Sequence, residues 1–230
     1  MKLAIMQPYF FPYIGYFQLV NAVDKFIFYD DVNFIKRGWI NRNNIIINNT
    51  PKYITIQLKG ASQNKPINEV EFTDNRKKVK NSIQMAYKKA PFYNDVWPVI
   101  EEILGIKTQN ISKQAIYSVE KVCEYLSINT NFEISSQTYH QTKGMNKADR
   151  LIEICRINGA ATYINPIGGK ELYKKETFKA VNIELHFLKT IFTEYKQFKN
   201  EFIPALSIID VMMFNSVEEI HKMLDNYELV

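Results

Sequence analysis

The sequence of 230 residues has few of the side chains on which most metal and redox sites depend. It contains two cysteines, Cys123 and Cys155, which are too far apart to form a CxxC motif. This scarcity argues against a disulfide framework and against a zinc site. The three histidines, His140, His186 and His221, are scattered along the chain, so no histidine-based catalytic group can be recognised.

Long apolar runs are also absent. No stretch approaches the roughly 18 apolar residues that a membrane-spanning helix requires, and prolines interrupt the N-terminal stretch before it could serve as a signal peptide. We therefore expect a cytoplasmic protein without a membrane span. The net charge of +5 fits a protein that handles anionic small molecules, and it is too weak to indicate binding to nucleic acid.

Aromatic residues, in contrast, are abundant, at 13% of the chain. They are concentrated in residues 6–17, where Gln7, two prolines and several aromatic rings separate a predicted strand from a predicted helix. Pro12 suits the first position of that helix, because its φ is fixed and its missing N–H is no loss. A helix start of this kind presents unpaired backbone N–H groups, which commonly bind an anion. The alternative is that these aromatic rings only pack in the core.

A second unusual segment, residues 30–43, follows the next predicted strand. It combines two aspartates with three cationic side chains, and aromatic rings are interleaved with the charges. Lys and Arg can bind a phosphate or carboxylate, and an aspartate can orient or deprotonate a substrate amine. Both segments follow strand ends, where open α/β sheets bind ligands. We favour this function over an exposed loop with ion pairs worth about 0–1 kcal/mol each.

The order of the predicted elements indicates an α/β fold with a Rossmann-like, mostly parallel sheet. We expect a single domain spanning 1–230, with a β-hairpin flap around residues 48–51 and a helical insertion at 73–128. Strands are predicted at 2–6, 26–29, 45–47, 53–58, 67–72, 131–135, 162–164 and 183–188. Helices are predicted at 13–23, 76–90, 94–104, 112–126, 147–157, 171–175, 206–214 and 217–226.

Several motifs resemble those of the WbqC-like family, which is found in bacterial surface-polysaccharide gene clusters. The resemblance spans nearly the whole chain and is carried chiefly by residues 7–17 and 30–43. Further matches are 90–93, 159–163, Gly168-Gly169 with Tyr173, and 204–210 with Phe214-Asn215, whereas Met6 and Asn165-Pro166 depart from the family pattern. The resemblance implies a role in O-antigen or related lipopolysaccharide synthesis. It is compatible with acyl or aminoacyl transfer, for example of a glycyl group, to the amino group of a nucleotide-linked amino sugar.

A more remote resemblance links the opening strand, the turn and the Gly15-Tyr16 helix start to the nucleotidylyltransferase superfamily. Tyr16 stands where that superfamily has a catalytic histidine, so the resemblance implies nucleotide binding more than nucleotidyl transfer. A Walker-type phosphate loop at Gly169-Lys170 is excluded, because Glu171 replaces the Ser or Thr that binds magnesium. A third alternative is a non-catalytic scaffold of glycan assembly that uses the basic helix at 76–89.

The candidate site contains four proposed catalytic residues, Asp30, Asp31, Lys36 and Tyr16. The proposed ligand-binding residues are Gln7, Tyr9, Tyr13, Gly15, Arg37, Trp39, Asn41, Arg42, Lys143, Gly168, Gly169 and Asp210. No metal ligand is predicted. The cofactor stays open, with a nucleotide and Mg²⁺ as one option. The expected partner is a small-molecule substrate, either a nucleotide sugar or an activated acyl donor, and a homodimer is possible.

Overall fold

A computed structural model describes residues 1–198 and 201–230. The strands are β1 (Lys2–Met6), β2 (Lys25–Phe28), β3 (Arg42–Ile47), β4 (Thr50–Thr55), β5 (Leu58–Lys59), β6 (Glu71–Phe72), β7 (Asn131–Ile134), β8 (Thr162–Pro166), β9 (Glu184–Thr190) and β10 (Tyr227–Leu229). The helices are α1 (Ile14–Asn21), α2 (Arg76–Tyr87), α3 (Tyr93–Gly105), α4 (Ile111–Tyr125), α5 (Ser135–Thr138), α6 (Lys147–Ile157), α7 (Lys175–Lys179), α8 (Ile208–Phe214) and α9 (Val217–Leu224).

Six strands form the central sheet in the order β10-β9-β8-β1-β2-β7. Neighbouring strands are parallel, except that β10 runs antiparallel to β9. The prediction of an α/β fold with a mostly parallel sheet is therefore confirmed. The direction of chain progression reverses between β1 and β8, and open sheets of this kind bind ligands beyond the carboxyl ends of the strands at such a reversal.

The ladder between β1 and β8 is short at this reversal. It ends where Leu3 pairs with Tyr163, whereas β1 stays paired with β2 as far as Met6 and Phe28. β8 therefore stops pairing with β1 before β1 ends. The segment 7–13 begins beyond this point, at the carboxyl end of β1. This is the edge of the sheet at which the first aromatic motif lies.

Both faces of the sheet are covered, and after an initial lysine β1 and β2 are accordingly apolar runs instead of alternating apolar and polar residues. On one face Ala4 and Phe26 pack in a large core that also contains residues of α1, the hairpin β3–β4, α2–α4, α8 and α9. On the other face Leu3, Ile27 and Tyr163 pack in a smaller core with α6 and α7. Helices α2–α4, which lie within the predicted insertion, thus contribute to the core on one face of the sheet.

The predicted hairpin is present as β3 and β4, but its turn is shorter than expected. Asn48 and Asn49 form a two-residue turn, and both have positive φ, of 51° and 61°. A two-residue turn with positive φ at both positions has a twist that matches the right-handed twist of the flanking strands. Pro51 consequently lies within β4, opposite Ile46. Proline is tolerated there because the β3–β4 pair has two strands only, and an edge N–H is not needed for pairing.

Other element boundaries also differ from the predictions. Residues 67–72 form a 3₁₀ turn, Ile67–Glu69, followed by the short β6 instead of one strand. The helix predicted at 171–175 begins only at Lys175, where the buried Phe178 anchors it in the smaller core. β10 was not predicted. Among the described residues, no helix is long and apolar enough to cross a membrane.

Candidate functional site

The segment 7–13 connects β1 to α1 and is fixed by hydrogen bonds to distant parts of the chain. The backbone N–H of Phe11 donates to Ser118 Oγ at 3.2 Å, and its carbonyl accepts from Asn43 Nδ2 at 2.7 Å and from Ser207 Oγ at 2.9 Å. Phe11 has a φ of 44°, a left-handed conformation that is uncommon for a residue other than glycine. Three partners hold this conformation, so the segment is a rigid support for the side chains around it.

Gly15 makes room for the ring of Tyr13 across the first turn of α1. A Cβ atom at position 15 would lie 2.2 Å from Thr190 Oγ1 and 2.4 Å from a ring carbon of Tyr13. Burial raises the pKa of Tyr13, although its hydrogen bond with Thr190 acts in the opposite direction. Gly15 is buried beneath these two side chains. Its contribution to a ligand site is therefore to seat Tyr13.

Tyr9, Tyr13 and Trp39 line one cleft of about 340 Å³, together with Pro12, Asn43 and Ala205. We call it the aromatic cleft. The two motifs meet at this point, since the backbone N–H of Phe10 donates to the carbonyl of Trp39 at 3.1 Å. Burial, with a smaller contribution from Tyr13, raises the pKa of Tyr9 to about 12. The Tyr9 hydroxyl therefore remains protonated near neutral pH, and the cleft has the size of a small-molecule site.

A second and more open groove of about 340 Å³ lies beside the hairpin. It is lined by Lys36, Arg37, Asn41 and Arg42 from the second motif, and by residues 55–58, and we call it the cationic groove. Arg42 is held in place, because its Nε donates to the Gly38 carbonyl at 3.1 Å and its Nη2 donates to the Arg37 carbonyl. Every residue described as lining the groove is neutral or cationic.

A row of three adjacent side chains, Trp39, Tyr53 and Arg42, connects the aromatic cleft to the cationic groove. The guanidinium of Arg42 lies 4.4 Å from the centre of the Tyr53 ring, and the Tyr53 and Trp39 ring centres are 6.2 Å apart. Trp39 lines the cleft and Arg42 lines the groove. A ligand with an aromatic or sugar ring and an anionic group could therefore contact both.

Asp30 and Asp31 lie beyond the end of β2 in a buried hydrogen-bond network. The hydroxyl of Ser135 is 3.1 Å from Asp30 Oδ1 and 2.6 Å from Asp31 Oδ1. Ser136 donates to Asp30 from its backbone N–H at 3.0 Å and from its hydroxyl at 2.9 Å. Arg150 Nη2 donates to Asp31 Oδ2 at 2.6 Å. Each of the four carboxylate oxygens thus has a partner within the protein.

Arg150 is the centre of this network. Its Nε donates to Thr142 Oγ1 at 3.0 Å, and its guanidinium lies 4.8 Å from the centre of the Tyr29 ring. Both Arg150 and Asp31 are almost fully buried, so their ion pair is shielded from water. Burial also raises the pKa of Asp30, although the hydrogen bonds from Ser136 and Ser135 act to lower it. The network ties the start of the 30–43 segment to α5 and α6.

The structure places two other predicted residues in the interior. The Tyr16 hydroxyl donates to the Gln7 carbonyl at 3.0 Å, and burial raises the pKa of Tyr16 well above its usual value. Asp210 is fully buried and accepts hydrogen bonds from Tyr87, Tyr195 and Gln197, each at 2.7 Å. Both residues act in the structure as internal hydrogen-bonding groups.

The remaining predicted residues lie around the edge of the sheet. Gln7 is half-buried at the end of β1, and Gly168 and Lys143 are exposed. Gly169 packs against Asn165, whose Nδ2 would be only 2.9 Å from a Cβ at position 169. Within residues 1–198 and 201–230, no three His, Cys, Asp or Glu side chains form a group suited to a metal ion.

Sequence reasoning missed several residues that form these sites. Asn43 and Tyr53 could have been found, since Asn43 lies in the recognised motif and Tyr53 pairs with Asn44, the residue that follows the motif. Arg150 could not, because it lies in an ordinary amphipathic helix pattern and its partner Asp31 is 119 residues away. Ala205 lies in a segment that carries part of the family resemblance, but it was not predicted to contact a ligand.

The strand order and the two clefts define an α/β protein with a doubly wound sheet and a candidate ligand site beyond β1. Residues 7–222 match the model of the WbqC-like protein family, so the chain belongs to that family. It is also similar to Rv1507c, an uncharacterized protein of Mycobacterium tuberculosis, with 30% identity over 220 residues that cover 93% of each chain. No solved structure matches the chain.

Proposed function

We propose that the protein is a transferase of bacterial surface-glycan synthesis, which adds an acyl or aminoacyl group, such as glycyl, to the amino group of a nucleotide-linked amino sugar. The observation that carries this proposal is the row of adjacent side chains, Trp39, Tyr53 and Arg42, between the aromatic cleft and the cationic groove. Aromatic rings favour the faces of a base or a sugar, and Arg and Lys favour phosphate. A nucleotide sugar carries both groups.

The cationic groove suits the diphosphate of such a substrate. The guanidinium of Arg42 is already oriented by two backbone carbonyls and by Tyr53, so little side-chain freedom is lost when an anion binds. Lys36 and Arg37 are exposed at the same groove and can approach from solvent. If a nucleotide enters with Mg²⁺, phosphate oxygens would be the metal's ligands there, because no described lining residue is a carboxylate.

In the proposed reaction, the amine nitrogen of the sugar attacks the carbonyl carbon of an activated acyl donor. The amide bond forms as the bond between the acyl carbon and the donor's leaving group breaks, and the leaving group takes up the proton that the amine loses. Lys36 lines the cationic groove, and we assign it the electrostatic role in this step, because its ammonium can stabilise negative charge that develops on the carbonyl oxygen. Asp30 and Asp31 were considered as the base. Because all their oxygens already accept hydrogen bonds, we assign them a positioning role for the 30–43 segment.

Substrate binding can be tested by the fluorescence of Trp39. The chain has two tryptophans, and Trp97 stacks on Tyr93 in α3, so a Trp97→Phe protein reports on the aromatic cleft alone. We expect saturable changes in Trp39 emission with nucleotide-linked amino sugars and weaker changes with the free nucleotide or free sugar. Arg42→Ala in this background should weaken binding about tenfold or more, the effect of losing a hydrogen bond to a charged group. The matched control is Arg156→Ala, which removes an exposed arginine from α6.

Turnover can be tested by mass spectrometry of nucleotide-linked amino sugars incubated with thioester and aminoacyl donors. The expected product is heavier by one acyl group, and Lys36→Ala should reduce turnover more than binding. The proposal is wrong if no nucleotide sugar binds to the Trp97→Phe protein. Release of pyrophosphate without acylated sugar would instead indicate nucleotidyl transfer.

A further inference from the structure

A narrow pocket, which we call the Gln18 pocket, lies beside the aromatic cleft. It is bordered by α1, by residues 191–206 and by the helices α8 and α9, and its inner space measures about 20 Å³. This is about the room that one water molecule needs. Most of the lining side chains are apolar, among them Ile14, Leu206, Val211 and Met223, and no described lining residue is charged.

Gln18 of α1 supplies an unpaired acceptor in the wall of this pocket. It is fully buried, and its Nε2 donates to the carbonyls of Met223 and Asn226 at 2.8 and 2.9 Å. Because only the NH₂ end of an amide can donate to carbonyls, these two bonds fix which end of the side chain is the oxygen. Within the described residues, no donor reaches Gln18 Oε1. A buried acceptor without a partner is unfavourable, so an occupant that donates to it gains stability.

Thr193 adds a second polar group at the exposed side of the pocket. Its Oγ1 accepts from Asn226 Nδ2 at 2.9 Å, so its own hydroxyl proton can be donated to an oxygen in the pocket. Tyr195 also lines the pocket, but its hydroxyl already donates to Asp210 and accepts from Gln197. The pocket therefore offers one acceptor and one donor between apolar walls, a combination that suits an O–H group.

The Gln18 pocket shares a wall with the aromatic cleft. Ala205 lines both, and the ring centre of Phe192 in the pocket lies 6.4 Å from that of Tyr13 in the cleft. Ala205 has a φ of 57°, a left-handed conformation that is uncommon for alanine. A group bound in the pocket is therefore adjacent to a ligand in the cleft.

We propose that the Gln18 pocket binds one uncharged hydroxyl group, which donates to Gln18 Oε1. An ammonium group is also a donor, but its burial without a carboxylate is strongly unfavourable. A methyl group would leave Oε1 unpaired. The hydroxyl can belong to a water molecule or to a hydroxymethyl group of a ligand in the aromatic cleft, and the experiments below distinguish these two sources. The proposed site does not depend on the reaction that the protein catalyses.

The site can be tested by filling it. Val211→Ile adds one methylene group to its wall and should displace the hydroxyl, so that Gln18 Oε1 is buried without a donor. We expect the melting temperature to fall by about 2–12 °C, the effect of one unpaired buried acceptor in a chain of this length. In a Gln18→Met background no acceptor remains, so Val211→Ile should lower the melting temperature much less. The matched control is Val217→Ile, which adds the same group at the start of α9, outside the pocket.

A high-resolution crystal structure of the protein without substrate shows the occupant directly. We expect an oxygen atom about 2.8 Å from Gln18 Oε1 in the unaltered protein and none in Val211→Ile. The proposal is overturned if the unaltered protein has no oxygen at this position. It is also overturned if Val211→Ile lowers the melting temperature equally with Gln18 and with Met at position 18, because overpacking alone would then explain the loss.

The fluorescence of Trp39 in the Trp97→Phe protein shows whether a ligand supplies the hydroxyl. The anomeric phosphates of glucose and quinovose differ in one group, which is hydroxymethyl in glucose and methyl in quinovose. If the hydroxymethyl group enters the pocket, glucose phosphate should bind about tenfold more tightly, and Val211→Ile should abolish this preference. Equal binding or no binding of the two, together with the crystallographic oxygen, assigns the site to water. A preference for quinovose phosphate that Val211→Ile abolishes would overturn the proposal, because the pocket would then take a methyl group.

Discussion

Two glycines at the carboxyl edge of the sheet seat neighbouring side chains. Gly15 lies under the ring of Tyr13, and Gly169 lies against the amide of Asn165. Glycine within a helix is about 1 kcal/mol less favourable than alanine. At position 15 of α1 this cost is offset because the absence of a Cβ atom allows Tyr13 to contact Thr190. The sequence predicted these glycines as ligand contacts, and the structure gives each of them a packing role.

Gly15→Ala is expected to displace Tyr13 and to destabilise the protein. The added methyl group would overlap Thr190 and the Tyr13 ring, and overpacking of this kind costs about 1–3 kcal/mol. For a chain of this size the melting temperature should fall by about 3–10 °C, and the response of Trp39 to nucleotide sugars should weaken. Gly105→Ala in α3 is the control, because a Cβ there meets no atom within 4 Å. Equal melting temperatures for the two variants would refute this account.

The buried pair of Asp31 and Arg150 predicts strongly non-additive effects. Asp31→Leu alone would leave the Arg150 charge buried without its partner, and Arg150→Met alone would do the same to Asp31, each at a cost of about 3–5 kcal/mol. Replacing both residues together, by Asp31→Leu and Arg150→Met, should cost less than the sum of the single changes, because no unpaired charge remains. Urea unfolding of the three variants measures this difference. Additive losses would show that the two side chains do not interact appreciably.

The sequence predicted the segments of the site better than the partners of individual residues. Residues 7–17 and 30–43 were recognised by their composition, because proline, aromatic and charged residues are rarely interleaved without a reason. The partners of Asp30 and Asp31, Ser135 and Arg150, are more than 100 residues distant in the chain. Their proximity follows from the order of strands β1, β2 and β7, which a single sequence does not reveal.

At the level of secondary-structure elements, Asp210 links α8 to two other parts of the chain. Its carboxylate accepts from Tyr87 of α2, and from Tyr195 and Gln197 of the irregular segment that follows β9. The Tyr87 hydroxyl also accepts from the Ile46 N–H of β3 at 3.2 Å. A single buried group therefore connects the hairpin, a helix of the insertion and the C-terminal helices.

The stability contributed by Asp210 should decrease as the pH rises. Burial raises the pKa of Asp210 although three donors act to lower it, so the fold favours the neutral carboxyl group. The contribution is complete below the ordinary Asp pKa of about 3.9 and is lost as the pH passes the raised value. Asp210→Asn should therefore gain stability relative to the unaltered protein between about pH 4 and pH 7. Urea unfolding across this range measures the difference, and a constant difference would contradict the prediction.

Long periodic elements were predicted more accurately than short ones. α6 was predicted with its observed bounds, because apolar residues recur along one face and Asn158-Gly159 ends it. β10 has three residues, two of them exposed, and gives no apolar pattern. The helix α7 was displaced by four residues in the prediction, because tertiary packing of Phe178 decides where it forms. Short elements at the edges are determined by their contacts more than by their own sequences.

The whole molecule is organised by one sheet with a core on each face. The larger core contains Ala4 of β1, Ile45 of the hairpin, Ile83 and Ile100 of the insertion and Ile220 of α9. Segments from the start, the middle and the end of the chain therefore bury their apolar side chains against one another. If one of these segments unfolded alone, the apolar side chains of the other segments that pack against it would become exposed to water.

This arrangement leads us to expect one cooperative unfolding transition for the whole chain. Trp39 lies in the segment beside the hairpin and Trp97 lies in α3 of the insertion, so Trp97→Phe and Trp39→Phe proteins report on the two regions separately. The two fluorescence transitions in urea should coincide with each other and with the loss of far-ultraviolet circular dichroism. An earlier transition for Trp97 would show that residues 73–128 unfold independently and that the single-domain prediction is wrong. If the two transitions coincide, residues 73–128 and the sheet unfold together. We expect this because helices α2–α4 supply much of the apolar surface in the larger core.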